Sequence, residues 1–166
     1  MIRRAELKDI PALMDIYNDA ILHTTATFDT EVKDYEDRLA WFHAHTGQYV
    51  IFVYEEAGTV AGYASLSRYR ERKAFDPAVE ISIYIHAGYR GRGIGCSLME
   101  RTLQYAKECP QIGTVVSLIT SENEVSIRLH ERFGFSYCGQ IRQAGVKFGK
   151  KMGLNAYQIV YDREIE

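Results

Sequence analysis

At 166 residues, 46% apolar and 25% charged, the chain has the size and balance of one globular domain with a substantial core. Twenty basic against 22 acidic side chains leave a net charge of −2, which argues against a dedicated nucleic-acid binder, and no apolar run is long enough to span a bilayer. The first six residues lack a signal-type apolar stretch, and Cys96, Cys109 and Cys138 are odd in number and far apart, so a cytoplasmic setting without disulfides is expected.

Residues 2–5 read as a short strand. Asp9 then caps a helix with Pro11 in its first turn, and Ile10, Leu13, Met14, Tyr17 and Ile21 share one face. The polar, β-branched stretch 23–30 is expected to be a loop. Asp34 caps a second helix that carries Leu39, Trp41 and Phe42, and Gly47 ends it. Segments 49–54 and 59–67 form a hairpin around the turn 55–58.

The charged stretch 68–77 reads as a surface loop, and 78–86 as the central strand. A helix follows from Gly93 to about Lys107, with Ile94, Leu98, Met99, Thr102, Leu103 and Ala106 in its stripe. After a buried strand at 114–120, Ser121 to Glu124 suggests a capping box opening a helix that stops at Gly134. Segment 135–142 reads as a strand, the glycine- and lysine-rich 143–153 as a loop, and 154–162 as the last strand. This order predicts an α/β fold: a mixed, mostly antiparallel twisted sheet of about seven strands with helices on both faces.

The stretch with most chemical content is 80–95, Glu-Ile-Ser-Ile-Tyr-Ile-His-Ala-Gly-Tyr-Arg-Gly-Arg-Gly-Ile-Gly. A strand that turns through glycine into a helix exposes backbone N–H groups at the positive end of the helix dipole. That arrangement suits an anion, above all a phosphate. Gly91, Gly93 and Gly95 permit close approach, and Arg90 and Arg92 offer charge-assisted hydrogen bonds. The nucleotide P-loop is excluded because Ile94-Gly95-Cys96 stands where Gly-Lys-Ser/Thr is needed, and the dinucleotide fingerprint is excluded by spacing.

Arg90 to Gly95 resembles the Arg/Gln-x-x-Gly-x-Gly/Ala signature of the GNAT superfamily of N-acetyltransferases. Ala26-Thr27-Phe28, Val79 to Ile85, Leu129 to Phe135 and Gly145 to Gly149 are similar to the phosphinothricin N-acetyltransferase family. The resemblance implies a single GNAT domain over residues 1–166. It further implies a homodimer, with the apolar segment 154–161 as a candidate interface. The implied activity is acetyl transfer from acetyl-CoA to the α-amine of a small amino-acid-like substrate such as phosphinothricin, methionine sulfoximine or methionine sulfone.

It also implies site residues. Arg90, Gly91, Arg92, Gly93, Ile94, Gly95 and Cys96 would hold the cofactor pyrophosphate, and backbone N–H groups of Ile83, Tyr84 and Ile85 the thioester carbonyl and pantetheine. Asn123 would contact the cofactor. Glu80, a carboxylate interrupting an apolar strand, is the candidate base that deprotonates the substrate ammonium; a side chain merely turned to solvent is the alternative. His130 either protonates the leaving thiolate or is a helix histidine bonded to a backbone carbonyl. Arg72 would meet the acidic end of the substrate, unless it belongs to a solvated charge run, and Phe28 and Thr27 would line that pocket. Lys151-Met152-Gly153 stands where relatives continue with Trp-Leu-Asp, which bears on phosphinothricin as substrate.

No metal is expected, since His43 and His45 at i,i+2 face different sides of a helix. Cys96, at a helix start, is either a nucleophile beside CoA or a packed thiol. Two other functions remain open: acetylation of a protein or peptide N-terminus, and acetyl-CoA binding without catalysis.

Overall fold

Strand β1 (Ile2–Arg4) opens the chain in the computed structural model, which describes residues 1–165. Helices α1 (Ile10–His23) and α2 (Tyr35–His43) follow, then β2 (Val50–Glu56), β3 (Thr59–Arg68) and β4 (Ala78–Ile85). Helix α3 (Ile94–Glu108), β5 (Thr114–Thr120), α4 (Glu124–Arg132), β6 (Ser136–Lys147) and β7 (Lys150–Val160) complete it. Short 3-10 turns at Leu7–Asp9, Lys73–Phe75 and Ala87–Tyr89 punctuate the loops.

The seven strands form one sheet in the order β1-β2-β3-β4-β5-β7-β6. Every neighbouring pair is antiparallel except β4 and β5. That pair is joined through α3, and a crossover of this kind is what a parallel pair requires. Both faces of the sheet are covered, so its central strands are mostly apolar, with Glu80 and Ser82 in β4 and Ser117 in β5 among the exceptions. In β2, Val50 and Phe52 enter the core on the α3 face, while Ile51 and Val53 pack with Leu13 and Ile16 of α1. The expected α/β architecture, with helices on both faces, is what the chain forms.

Four local expectations need correction. The stretch 143–153 is not a loop: β6 runs on to Lys147, and β7 starts at Lys150. A two-residue turn joins them, with Phe148 at φ +52° and Gly149 at +72°, the left-handed pair that a tight hairpin demands. Glycine inside these strands serves packing. A Cβ on Gly145 would lie 2.6 Å from the Phe28 ring, and one on Gly153 would lie 2.9 Å from the Gln140 amide.

Ser121 does not cap α4. Asn123 does, its Oδ1 accepting from Ser126 N at 3.2 Å, while Ser121 Oγ accepts from Gly153 N. Asp9 stands at the start of α1 without capping it; its carboxylate instead takes the Arg3 guanidinium at 2.7 and 2.9 Å and Glu6 N at 2.7 Å. Helix α2 is capped by Asp34 as expected, but it ends at His43, well before Gly47. Among the described residues no helix is long and apolar enough to cross a membrane.

Candidate active site

Pairing between β4 and β5 stops early. Only Ala78↔Thr114, Val79↔Val115 and Glu80↔Val116 are in register, although both strands continue beyond that point. On their outer sides the two strands remain paired, β4 with β3 and β5 with β7. The sheet therefore opens into a wedge whose apex lies at Glu80. The edges facing the wedge, 81–85 and 117–119, have no strand partner, and unpaired backbone groups need a hydrogen-bonding ligand. A cavity of about 750 Å³ fills the wedge, within the size range of small-ligand sites.

The wide end of the cavity meets the start of α3. Gly91 and Gly93 take φ of +75° and +79°, a conformation costly for other residues, and Gly93 is the helix N-cap. No side chain caps α3 and no acid occupies its first turn, so its leading N–H groups remain free for an anion. A Cβ on Gly95 would meet Leu129 at 3.6 Å, an ordinary van der Waals contact.

Of the expected cofactor residues, Ile83, Tyr84, Ile85, Arg90, Gly91, Gly93, Ile94, Gly95, Cys96 and Asn123 all line the cavity. Arg92 does not; its Nη1 donates to Glu56 at 2.9 Å, and its guanidinium stacks over Tyr89. Arg90 lines the wall while linking the end of β4 to α1, through Ile85 O and Asp19 Oδ2, each at 3.3 Å. Cys96 lies 3.7 Å from Arg132 Nη1.

Glu80 is half-buried at the apex, outside the cavity wall. By strand alternation it shares a face with Ser82 and Tyr84, on the side of α1 and α2. There Tyr84 packs against Tyr17 and Tyr63 at 5.2 and 5.5 Å between ring centroids. Burial pushes the Glu80 carboxyl above the usual carboxylate range, and the nearby Arg70 charge pulls it part of the way back. Arg70, not Arg72, is thus the cation felt at Glu80. Arg72 is exposed at the start of the Lys73–Phe75 turn and does not line the cavity.

Thr27 and Phe28 lie on a loop bound from three sides. Tyr17 OH bonds both Thr27 Oγ1 and Asp29, Thr120 Oγ1 donates to Thr25 O at 2.8 Å, and Lys147 Nζ donates to Thr27 O at 2.8 Å. Burial and the Asp29 carboxylate push the Tyr17 phenol up to about 12. Neighbouring Thr24, Thr25 and Ala26 line the cavity, while Thr27 and Phe28 do not.

His130 is fully buried in the cavity wall. Its Nδ1 lies 2.7 Å from Ser126 O and its Nε2 2.8 Å from Ser117 Oγ. Burial lowers its pKa, so the ring is held neutral. His45 is likewise engaged at both nitrogens, by Trp41 O and Ser67 Oγ.

Sequence reasoning missed Ser117, Arg128 and Arg132, all in the cavity wall. The two arginines sit four apart on α4, a spacing that could have drawn notice. Ser117 is an ordinary serine in an apolar strand and carries no signal of its own.

The chain matches the Acetyltransferase (GNAT) family over residues 11–135. It is 40% identical to an L-methionine sulfoximine/L-methionine sulfone acetyltransferase of Salmonella typhimurium, covering 97% of this chain and 94% of that one. It is 37% identical to the L-amino acid N-acyltransferase MnaT of Escherichia coli K12, with 99% and 96% covered. Its backbone matches that of yncA from Salmonella typhimurium, solved with its cofactor acetyl-CoA, at a TM-score of 0.94 and 39% identity, covering 99% and 95%. A family match over three quarters of the chain, with relatives of about 40% identity along nearly its whole length, shows that the chain belongs to the acetyltransferase (GNAT) family.

Proposed function

We propose that this chain, as a single domain over residues 1–166, acetylates the α-amine of a small amino-acid-like acceptor of the methionine sulfoximine, methionine sulfone or phosphinothricin type. The acceptor attacks directly while both ligands are bound. One observation carries the reading: β4 and β5 part immediately beyond Glu80, leaving free strand edges between a candidate base and an uncapped helix start.

The donor set fits acetyl-CoA. The first turn of α3, the Gly91–Gly95 backbone and Arg90 would hold its pyrophosphate, with Arg128 and Arg132 adding positive charge on the α4 side. Asn123 and the free edge of β4 would hold the arm. When bound, acetyl-CoA supplies an acetyl group activated as a thioester. Glu80, ionised, removes a proton from the acceptor ammonium, directly or through water. Backbone N–H groups within 83–85 donate to the carbonyl oxygen as negative charge gathers there, each worth roughly 3 kcal/mol. The engagement of both His130 nitrogens favours its acting through Ser117 over direct protonation of the thiolate.

Arg72 and Arg70 together offer positive charge for the acceptor's acidic end, and the tethered Thr27–Phe28 loop flanks it. Names of relatives support this acceptor class. Met152 is buried within β7 and Gly153 packs under Gln140, so the departure from Trp-Leu-Asp falls on a strand. The three free cysteines fit a reducing cytoplasm.

A homodimer is also proposed, through β6. Both edges of β7 are paired, whereas β6 is the sheet edge and exposes Tyr137, Ile141 and Val146. A monomer by light scattering at micromolar concentration would exclude it.

The test of function is a thiol-release screen over amino acids, sulfone and sulfoximine analogues, phosphinothricin, polyamines and short peptides. The fastest turnover is expected with the sulfone and sulfoximine compounds. Turnover confined to peptides would replace the acceptor class, and CoA binding with no release for any amine would remove catalysis altogether.

A further inference from the structure

Ile81, Ile83, Ile119 and Leu129 make an apolar stretch of the cleft wall, and Ser117 interrupts it. Ser117 is the first residue of β5 after pairing with β4 ends. It points toward α4, where its Oγ meets His130 Nε2 at 2.8 Å, and each residue is 3% exposed.

The direction of that hydrogen bond follows from the other ring nitrogen. Nδ1 is 2.7 Å from the Ser126 carbonyl, and a carbonyl oxygen only accepts, so Nδ1 carries the hydrogen. The buried ring is neutral, so Nε2 keeps its lone pair. Ser117 O–H must therefore donate to Nε2. The Phe135 ring, 4.8 Å from the imidazole in an edge-on arrangement, holds the imidazole plane in place. With its hydrogen committed to His130, the Ser117 oxygen can offer the cleft only lone pairs. The ligand group it suits is an N–H donor in an otherwise apolar channel. The arm of CoA carries two secondary amides, and an amide N–H buried without an acceptor is costly.

We infer that Ser117 accepts a hydrogen bond from an amide N–H of the pantetheine arm, and that His130 is the positioning residue that turns the Ser117 lone pairs toward the cleft. This rests on the cleft being the acetyl-CoA site. His130 then serves binding of the arm, and the proton for the leaving thiolate comes from elsewhere.

The experiment is calorimetry on the full chain with CoA and with adenosine 3′,5′-diphosphate, which lacks the arm. Ser117→Ala and the near-isosteric Ser117→Cys should each weaken CoA about five- to tenfold and leave the diphosphate unchanged. His130→Ala should match them, and the Ser117→Ala/His130→Ala double variant should be no weaker than either single, because the two act as a unit. In His130→Ala the loss should fall mainly on KM for acetyl-CoA, and the alkaline side of the kcat–pH profile should keep its shape.

CoA affinity unchanged in both Ser117 variants, at parental melting temperature, would overturn the inference. So would equal weakening of both ligands, or a hundredfold loss of kcat in His130→Ala with its alkaline limb altered. If the parent bound neither ligand, the assignment of the cleft would fall first, and that is seen before any variant is made.

Discussion

Replacing Glu80 by Gln keeps the shape of the apex and removes a base. A positioned general base contributes about 10²–10⁴-fold, or roughly 3–5 kcal/mol of barrier, and Glu80→Gln should lose kcat by that amount while binding acetyl-CoA as the parent does. Glu80 must be ionised to act, so activity should fall as pH drops through its pKa. Burial places that acid limb above the range of an ordinary glutamate, and the Arg70 charge restrains it. Arg70→Gln should therefore shift the limb to higher pH. Stability should move the opposite way to activity. The native state holds the Glu80 proton more tightly than the unfolded chain, so ionisation costs stability as pH rises through the folded pKa. Glu80→Gln is neutral at every pH and should melt higher than the parent at about pH 7, a loss of activity with a gain in stability. The assay is thiol release with L-methionine sulfone across pH, alongside thermal melts. A Glu80→Gln variant with parental kcat at all pH values would refute the base assignment.

Two further outcomes follow from the geometry. Asp9 is buried and holds Arg3 through two hydrogen bonds, so Asp9→Asn should cost about 3 kcal/mol in urea unfolding at neutral pH. Its carboxyl lies below the ordinary 3.8, so this stability is present above that pH and is lost as pH falls through the lower folded value; the variant should lack that acid-dependent loss. Gly93→Ala meets open space but forces alanine to φ +79°, which should lower stability by about 1 kcal/mol and weaken acetyl-CoA binding. Gly58→Ala, at the same φ in the remote β2–β3 turn, should show the stability loss without the binding loss.

The glycine turn was legible because the backbone conformation it needs restricts residue type: Gly91 and Gly93 do take positive φ, and the helix begins at Ile94. Strand and helix order was legible from apolar periodicity, since both sheet faces are covered. The wedge was not. Nothing in Glu80-Ile81-Ser82 or Val116-Ser117-Leu118 says where pairing ends, because that depends on how α3 carries the chain from one strand to the other. The β6–β7 hairpin was misread since Gly145 and Gly153 signal flexibility in sequence, while in space they make room for Phe28 and Gln140. His130 was visible as a chemical group, but its proton state depends on Ser117, thirteen residues earlier and on another element. The charge run 68–73 offered several cations, and only the folded chain singles out Arg70 as the one felt at Glu80.

Hydrogen–deuterium exchange with and without acetyl-CoA tests the central claim most directly, because it reports on the free strand edges themselves. Amides in 83–85, 93–97 and 117–119 should slow on adding the cofactor, with the β2–β3 turn unchanged. Exchange unaltered at saturating acetyl-CoA, or protection confined to another part of the sheet, would contradict the account.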